Sequence, residues 1–299
     1  MAPELKPQVR LYAILARAAN VAVVFRRGPS KRVQLWRWHT DVDEFEEGQW
    51  FKGRIYERRS DLSPSGRLLV YFAAKHKQPL FSWTAVSKPP FLTALALWPK
   101  GDCWGGGGLF EGENRLLLNH REGETELAEG FTVPSKFQTK PLRKHSGGGE
   151  DSPIMDIRLA RDGWKLIQDG KSSEHGLRHS IWIKIEPPMI YSKRHARTRG
   201  RYELQTHIHG IHERDGPWYI VEHVVHDTKK GTALSLGRAD WADWCHSGDL
   251  LFSNYGRLFR LGFSRAGVLN ELSTAKLLID LNDRTFKAME APAEAKQWK

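Results

Sequence analysis

Apolar residues in this chain come in short runs broken by Gly, Pro, Asn, Asp or Ser, which is the rhythm of strands and turns. "VAVVF" (21–25) and "VQLWRW" (33–38) flank "RRGPSKR". "GRIYERRSDL" and "RLLVYFAA" flank "SPSG" (63–66), and "RLLLNH" follows "EGEN". "SIWIKIE" is expected to stop at Pro187-Pro188, because neither proline has an N–H for a ladder. "YELQTHIHGI" and "PWYIVEHVV" flank "HERDG", and "DLLFSN" and "RLFRLGF" flank "YG". Only "ELSTAKLLI" (271–279) has a helical flavour, and it also reads as a strand. No long capped amphipathic helix is predicted, which argues against strands alternating with helices in a parallel sheet.

The runs recur at a regular interval. A turn residue leads an apolar strand at Asn20, Gly66, Asn114, Gly163 and Gly248, with separations of 46, 48, 49 and then 85 residues. Gly216 falls inside the long gap. The segments around Gly66 and Gly248 superpose over Asp61 and Asp243, Ser65 and Ser247, and two consecutive leucines, and they lie 182 residues apart. That is four units of ~45 residues, the length of a propeller blade. A β-sandwich is the competing fold, but it predicts no unit of that length.

The stretch "SPSGRLLVYF", with Ser63-Pro64-Ser65-Gly66 before an apolar strand, resembles a blade of a WD-repeat or TolB-like β-propeller. His246-Ser247-Gly248 and Asp162-Gly163 echo that turn in part. The Trp-Asp ending and Gly-His opening of WD repeats are missing, so the resemblance concerns the architecture. It implies an all-β fold, a single β-propeller domain over residues 1–299 with five or six four-stranded blades and an irregular or inserted segment at about 171–238. Four-stranded sheets stacked about an axis bury faces that each would expose alone.

Composition refines this picture. Twelve Trp in 299 residues suit β-rich packing, with Trp83, Trp104, Trp241 and Trp244 as candidate interface anchors. Two cysteines, Cys103 and Cys245, are too few for a disulfide framework and suit a reducing compartment. Arg17 and Asn20 interrupt the N-terminal apolar stretch, so neither a signal peptide nor a membrane anchor is expected, and the predicted location is cytoplasmic. The net charge of +11 favours acidic partners. Its densest local source is Lys193, Arg194, Arg197, Arg199 and Arg201, a candidate nucleic-acid or anion-binding loop that also reads as a solvated turn.

Candidate chemistry is sparse. "GDCWGGGGLFEGEN" (101–114) lacks the Lys of a phosphate loop and leads into a strand, so its glycines are expected to let the backbone pass close to a neighbour. Nine of the thirteen histidines lie between His175 and His246. His207 and His209 share a strand face, and with His212 and His223 they form a candidate zinc site; polar-face histidines are the plainer reading. Asp61, Asp102, Asp156 and Asp243 sit at blade starts, where carboxylates serve either a glycosidase or the turn backbone. The function this supports is a non-enzymatic propeller scaffold or recognition subunit that binds another protein or complex subunit, with no cofactor and no membrane partner. The alternatives are a propeller enzyme, either a glycosidase or a metal-dependent hydrolase using His207 and His209, and a basic nucleic-acid-binding module.

Overall fold

The computed structural model describes residues 9–28, 31–143, 146–147, 150–174, 181–213 and 216–298. His175 and His179 of the histidine-rich segment lie outside the described residues. Two compact units emerge, each built from two stretches of chain: residues 1–11 with 159–283, and residues 12–158 with 284–299.

The second of these units holds three sheets. β1 (Arg10–Leu15), β2 (Val21–Arg27), β3 (Arg32–His39) and β4 (Glu44–Lys52) form one four-stranded sheet in chain order. β5 (Arg54–Leu62), β6 (Leu69–Ala74), β7 (Ser82–Ser87) and β8 (Ala96–Pro99) form the next. Every residue of β6 and β7 is buried, so these strands read as continuous runs because both faces are covered. Phe25, Leu35, Leu69, Tyr71 and Trp83 meet in one core cluster. β9 (Gly108–Gly112), β10 (Arg115–Leu118) and β11 (Gln138–Pro141) make a three-stranded sheet. β11 runs parallel to β10, because the chain detours through residues 119–137 before returning in the same direction.

α1 (Ile154–Arg161) follows, and it ends at Gly163, whose φ of 90° supplies the left-handed terminator. Asp162-Gly163 is therefore a helix stop, and the strand after it opens a sheet instead of being its second strand. β12 (Trp164–Gln168), β13 (Ser172–Glu174), β14 (Ile181–Arg194), β15 (Tyr202–Glu213), β16 (Tyr219–Asp227) and β17 (Thr232–Gly237) form a single six-stranded sheet. β14 continues through Pro187-Pro188, but its pairing with β15 breaks between Lys184 and Met189, so both prolines sit where the ladder needs no donor. The last sheet is β18 (Trp241–Trp244), β19 (Leu250–Asn254), β20 (Arg257–Leu261) and β21 (Lys276–Asp280), so "ELSTAKLLI" is a short 3-10 turn followed by an edge strand.

The matched turns around Gly66 and Gly248 occupy the same place in two sheets, joining first strand to second, β5 to β6 and β18 to β19. Both glycines have positive φ, 73° and 93°, and in each the Gly N–H donates to the carbonyl three residues back, Ser63 or Cys245. Among the described residues no helix is long and apolar enough to cross a membrane.

Candidate functional site

A buried polar network lies in the unit of residues 12–158 and 284–299, where β5 leaves its partner. Tyr56 pairs with Phe72 and Asp61 with Val70, so residues 57–60 bulge out of the ladder. Arg158 holds the bulge: its guanidinium donates to the carbonyls of Glu57 (3.3 Å) and Ser60 and to the Tyr12 hydroxyl (2.6 Å). Arg59, almost wholly buried, donates from Nε to Asp151 Oδ1 (2.9 Å) and from Nη1 to the carbonyls of Cys103 and Gly105 (2.7 Å each). A buried cation requires such partners.

The glycine-rich loop wraps this cation. Gly105, Gly106 and Gly107 have φ of 75°, 82° and 79°. A Cβ on Gly107 would run into the Arg59 carbonyl, and one on Gly106 into the Phe72 ring. The close backbone approach expected of this loop is what the structure has. Asp61, buried at the end of β5, accepts from the Phe110 N–H (2.8 Å) and so ties β5 to β9.

His120 closes the network with a defined tautomer. Its Nδ1 faces the Glu124 carbonyl (2.9 Å), which can only accept, so Nδ1 carries the proton. Nε2 then accepts from Thr84 Oγ1 (2.7 Å), which itself accepts from the Gly107 N–H (2.7 Å). Burial pushes the His120 pKa down to about 4, which keeps the ring neutral. The Lys100 ammonium, fully buried, bridges Asp102 and Glu124 at 2.9 Å each. Desolvation pushes the Asp102 carboxyl up, but hydrogen bonds from Lys100 and the Trp104 N–H outweigh it and leave the group below its usual range.

This framework presents Trp104, which is 58% exposed on the fixed loop. Of the other aromatic candidates, Trp83 lies in the core edge-on to Phe51, Trp244 is buried with its Nε1 donating to the Lys193 carbonyl, and Trp241 is buried as well.

The remaining predicted residues scatter over the six-stranded sheet. Thr206 pairs with His223 and His207 with Glu222, so His223 and His207 stand on opposite faces. His207 contacts Gln205 Oε1 (2.9 Å), His209 contacts Glu222 (3.5 Å), and the two rings are 6.2 Å apart. His212 lies against Trp218 and Trp182. Among the described residues no group of three or more His, Cys, Asp or Glu side chains stands ready to hold a metal ion. In the basic loop, Lys193 pairs with Asp243 (2.6 Å), Arg194 with Glu203 (2.7 Å) and Arg201 with Asp227 (2.6 Å). The Arg201 hydrogen bond holds the Asp227 carboxyl down to about 2. Arg197 donates to the His246 carbonyl (2.8 Å), and Arg199 ends a 3-10 turn in the left-handed region. Asp102 accepts from the Trp104 N–H of its loop and Asp243, within β18, from the Trp244 N–H, each of them also pairing with a lysine, and Asp156 lies on α1.

The buried arginines, His120 and Asp151 escaped the sequence reading. Their partners are far apart along the chain, and no local pattern marks them.

These sheets, built of consecutive strands and following one another along the chain, define an all-β protein of the β-propeller class. No family model and no curated protein sequence matches the chain. Among solved structures it is similar to the β-propeller domain of the Trilobed protease from Pyrococcus furiosus, at 10% identity and a TM-score of 0.32, over 93% of this chain and 100% of that one. It is also similar to the GH43 protein BlXynB from Bacillus licheniformis, at 10% identity and a TM-score of 0.33, over 96% of this chain and 60% of that one.

Proposed function

We propose that this chain is a non-enzymatic recognition subunit that binds an acidic surface of another protein through Trp104. The observation that carries this reading is the exposed indole on a loop whose backbone is fixed from below by Arg59, Asp102 and the Gly107–Thr84–His120 chain. A rigid, exposed Trp loses little conformational freedom on binding and buries a large area, as interface anchors do. The net charge of +11 favours an acidic counterpart. The two free cysteines suit a reducing cytoplasm. Asp61, Asp102 and Asp243 are engaged in backbone bonds, and Lys193, Arg194 and Arg201 of the basic run are engaged in ion pairs, which favours a protein partner over either alternative.

Affinity purification from the native cell, comparing the wild type with Trp104→Ala, tests this. The partner's affinity is expected to fall by about 30-fold, or about 2 kcal/mol, in the variant. Recovery of the same proteins in equal amounts with both, or turnover of a substrate by the purified chain, would overturn the reading.

A further inference from the structure

The C-terminal segment brings a ring and a cation onto one face of the β1–β4 sheet. Arg26 on β2, Gln34 on β3 and Trp50 on β4 stand in register, and Arg32 lies directly opposite Lys52. Side chains alternate along a strand, so Arg32, Gln34 and Trp36 share this face. Two carbonyls fasten residues 284–289 to the sheet. That of Arg284 accepts from Arg26 Nη2 (3.1 Å), and that of Met289 from Gln49 Nε2 (2.9 Å).

Cations and rings are interleaved here. The Lys52 ammonium and the Arg32 guanidinium stand 4.4 and 5.7 Å from the centre of the Phe286 ring. Phe286 lies 6.1 Å from Trp50, which in turn has the Arg26 guanidinium at 5.1 Å. The Arg284 guanidinium stands 5.3 Å from the Trp36 ring. Glu47 reaches the same face and accepts from Gln34 Nε2 (2.9 Å). Arg32, Lys52 and Arg284 are exposed, and among the described residues none of the three forms an ion pair. The basic run 193–201 differs, because Lys193, Arg194 and Arg201 are each matched by a carboxylate.

This charge is held at a cost. Like charges directly opposite on paired strands are destabilising, and Arg32 faces Lys52 in that way. Burial, and then the charge of Arg284, lower the Arg26 pKa to about 10. A bound anion relieves both strains. Arg32 and Trp36, which carries Arg284, are four residues apart on one strand, about 13 Å, or roughly four nucleotides of a stacked strand. An acidic peptide would use the charges and leave the rings idle.

We propose that this face binds single-stranded nucleic acid, with Arg32, Lys52 and Arg284 on its phosphates and the Arg32–Phe286 pair as a platform for a base. This goes beyond the recognition through Trp104 and does not depend on it. Fluorescence anisotropy of short labelled oligothymidylate and oligouridylate, titrated with the full-length protein, tests it. Three phosphate contacts set a slope of about −2 for log affinity against log salt, roughly a 20-fold loss between 50 and 200 mM. The Arg32→Gln, Lys52→Gln double variant is expected to bind at least about tenfold more weakly at 50 mM, with the slope flattened to about −0.7. It loses only exposed side chains and a cross-strand repulsion, so its melting temperature should be no lower than the wild type's. Phe286→Leu should weaken binding by about tenfold with the slope unchanged. The Lys136→Gln, Lys140→Gln pair removes the same charge from exposed positions elsewhere and should bind as the wild type does. Absence of binding at 50 mM, an equal loss in that control pair, Phe286→Leu binding at full strength, or displacement of the oligonucleotide by polyglutamate at equal charge would overturn the proposal.

Discussion

Arg59 and His120 show how this molecule places polar groups where apolar ones would ordinarily pack. Arg59 is tolerated because its guanidinium meets a carboxylate and two carbonyls, and because Gly107 lets the chain come near enough to supply them. A side chain at position 107 would collide with the Arg59 carbonyl, so the loop and the cation depend on each other. His120 is tolerated in its neutral form only, since its Nε2 accepts from Thr84. Its folded pKa of about 4 lies below the ordinary 6.5, so the unfolded chain takes up the proton first. The stability this group contributes is complete above pH 6.5 and is lost as the pH falls towards 4, by roughly 3 kcal/mol in all. Urea unfolding of the wild type and His120→Gln at pH 7.5 and at pH 5 should show a smaller acid-induced loss in the variant; identical pH dependence would contradict a ring held neutral by burial.

At the level of strands and turns, Asp61 decides between two accounts of its blade. It accepts from the Phe110 N–H across to β9, and Asp61→Ala removes that buried charged acceptor. The expected loss in chemical denaturation is about 1–3 kcal/mol; a variant as stable as the wild type would return Asp61 to the list of catalytic carboxylates. The turns at Gly66 and Gly248 were legible in the sequence because their chemistry is local: Ser-Pro-Ser-Gly at 63–66 and Ser-Gly at 247–248 favour the backbone angles found there. Gly163 was misleading for the same reason. A hairpin turn and a helix terminator both call for a residue with positive φ, and only the eight residues of α1 before it tell them apart. Pro187-Pro188 reads as a strand end, but β14 runs through it, because the irregularity in its pairing with β15 falls where the donors are missing. The bulge of β5 and the Arg59–Asp151 pair had no local signature, since their partners lie roughly a hundred residues apart and only folding joins them. Trp exposure was equally hidden, because Trp83 is covered by residues remote in the chain, Phe51 among them, and Trp104 is not.

At the scale of the whole molecule, this is a blade-built all-β chain in which the loop of Trp104 combines a fixed backbone with an exposed indole. Its basic charge is dispersed, and where it concentrates, at residues 193–201, ion pairs with Glu203, Asp227 and Asp243 occupy Arg194, Arg201 and Lys193. On the proposed function, recognition falls to shape and to an aromatic anchor, with charge steering the approach. Site-specific photo-crosslinking in the native cell tests this most directly, with a photoreactive residue in place of Trp104 and, as a control, in place of Tyr255, which is comparably exposed in the β19–β20 turn. The account predicts one dominant, acidic protein partner trapped from position 104 and not from position 255; equal trapping from both positions, or none from position 104, would contradict it.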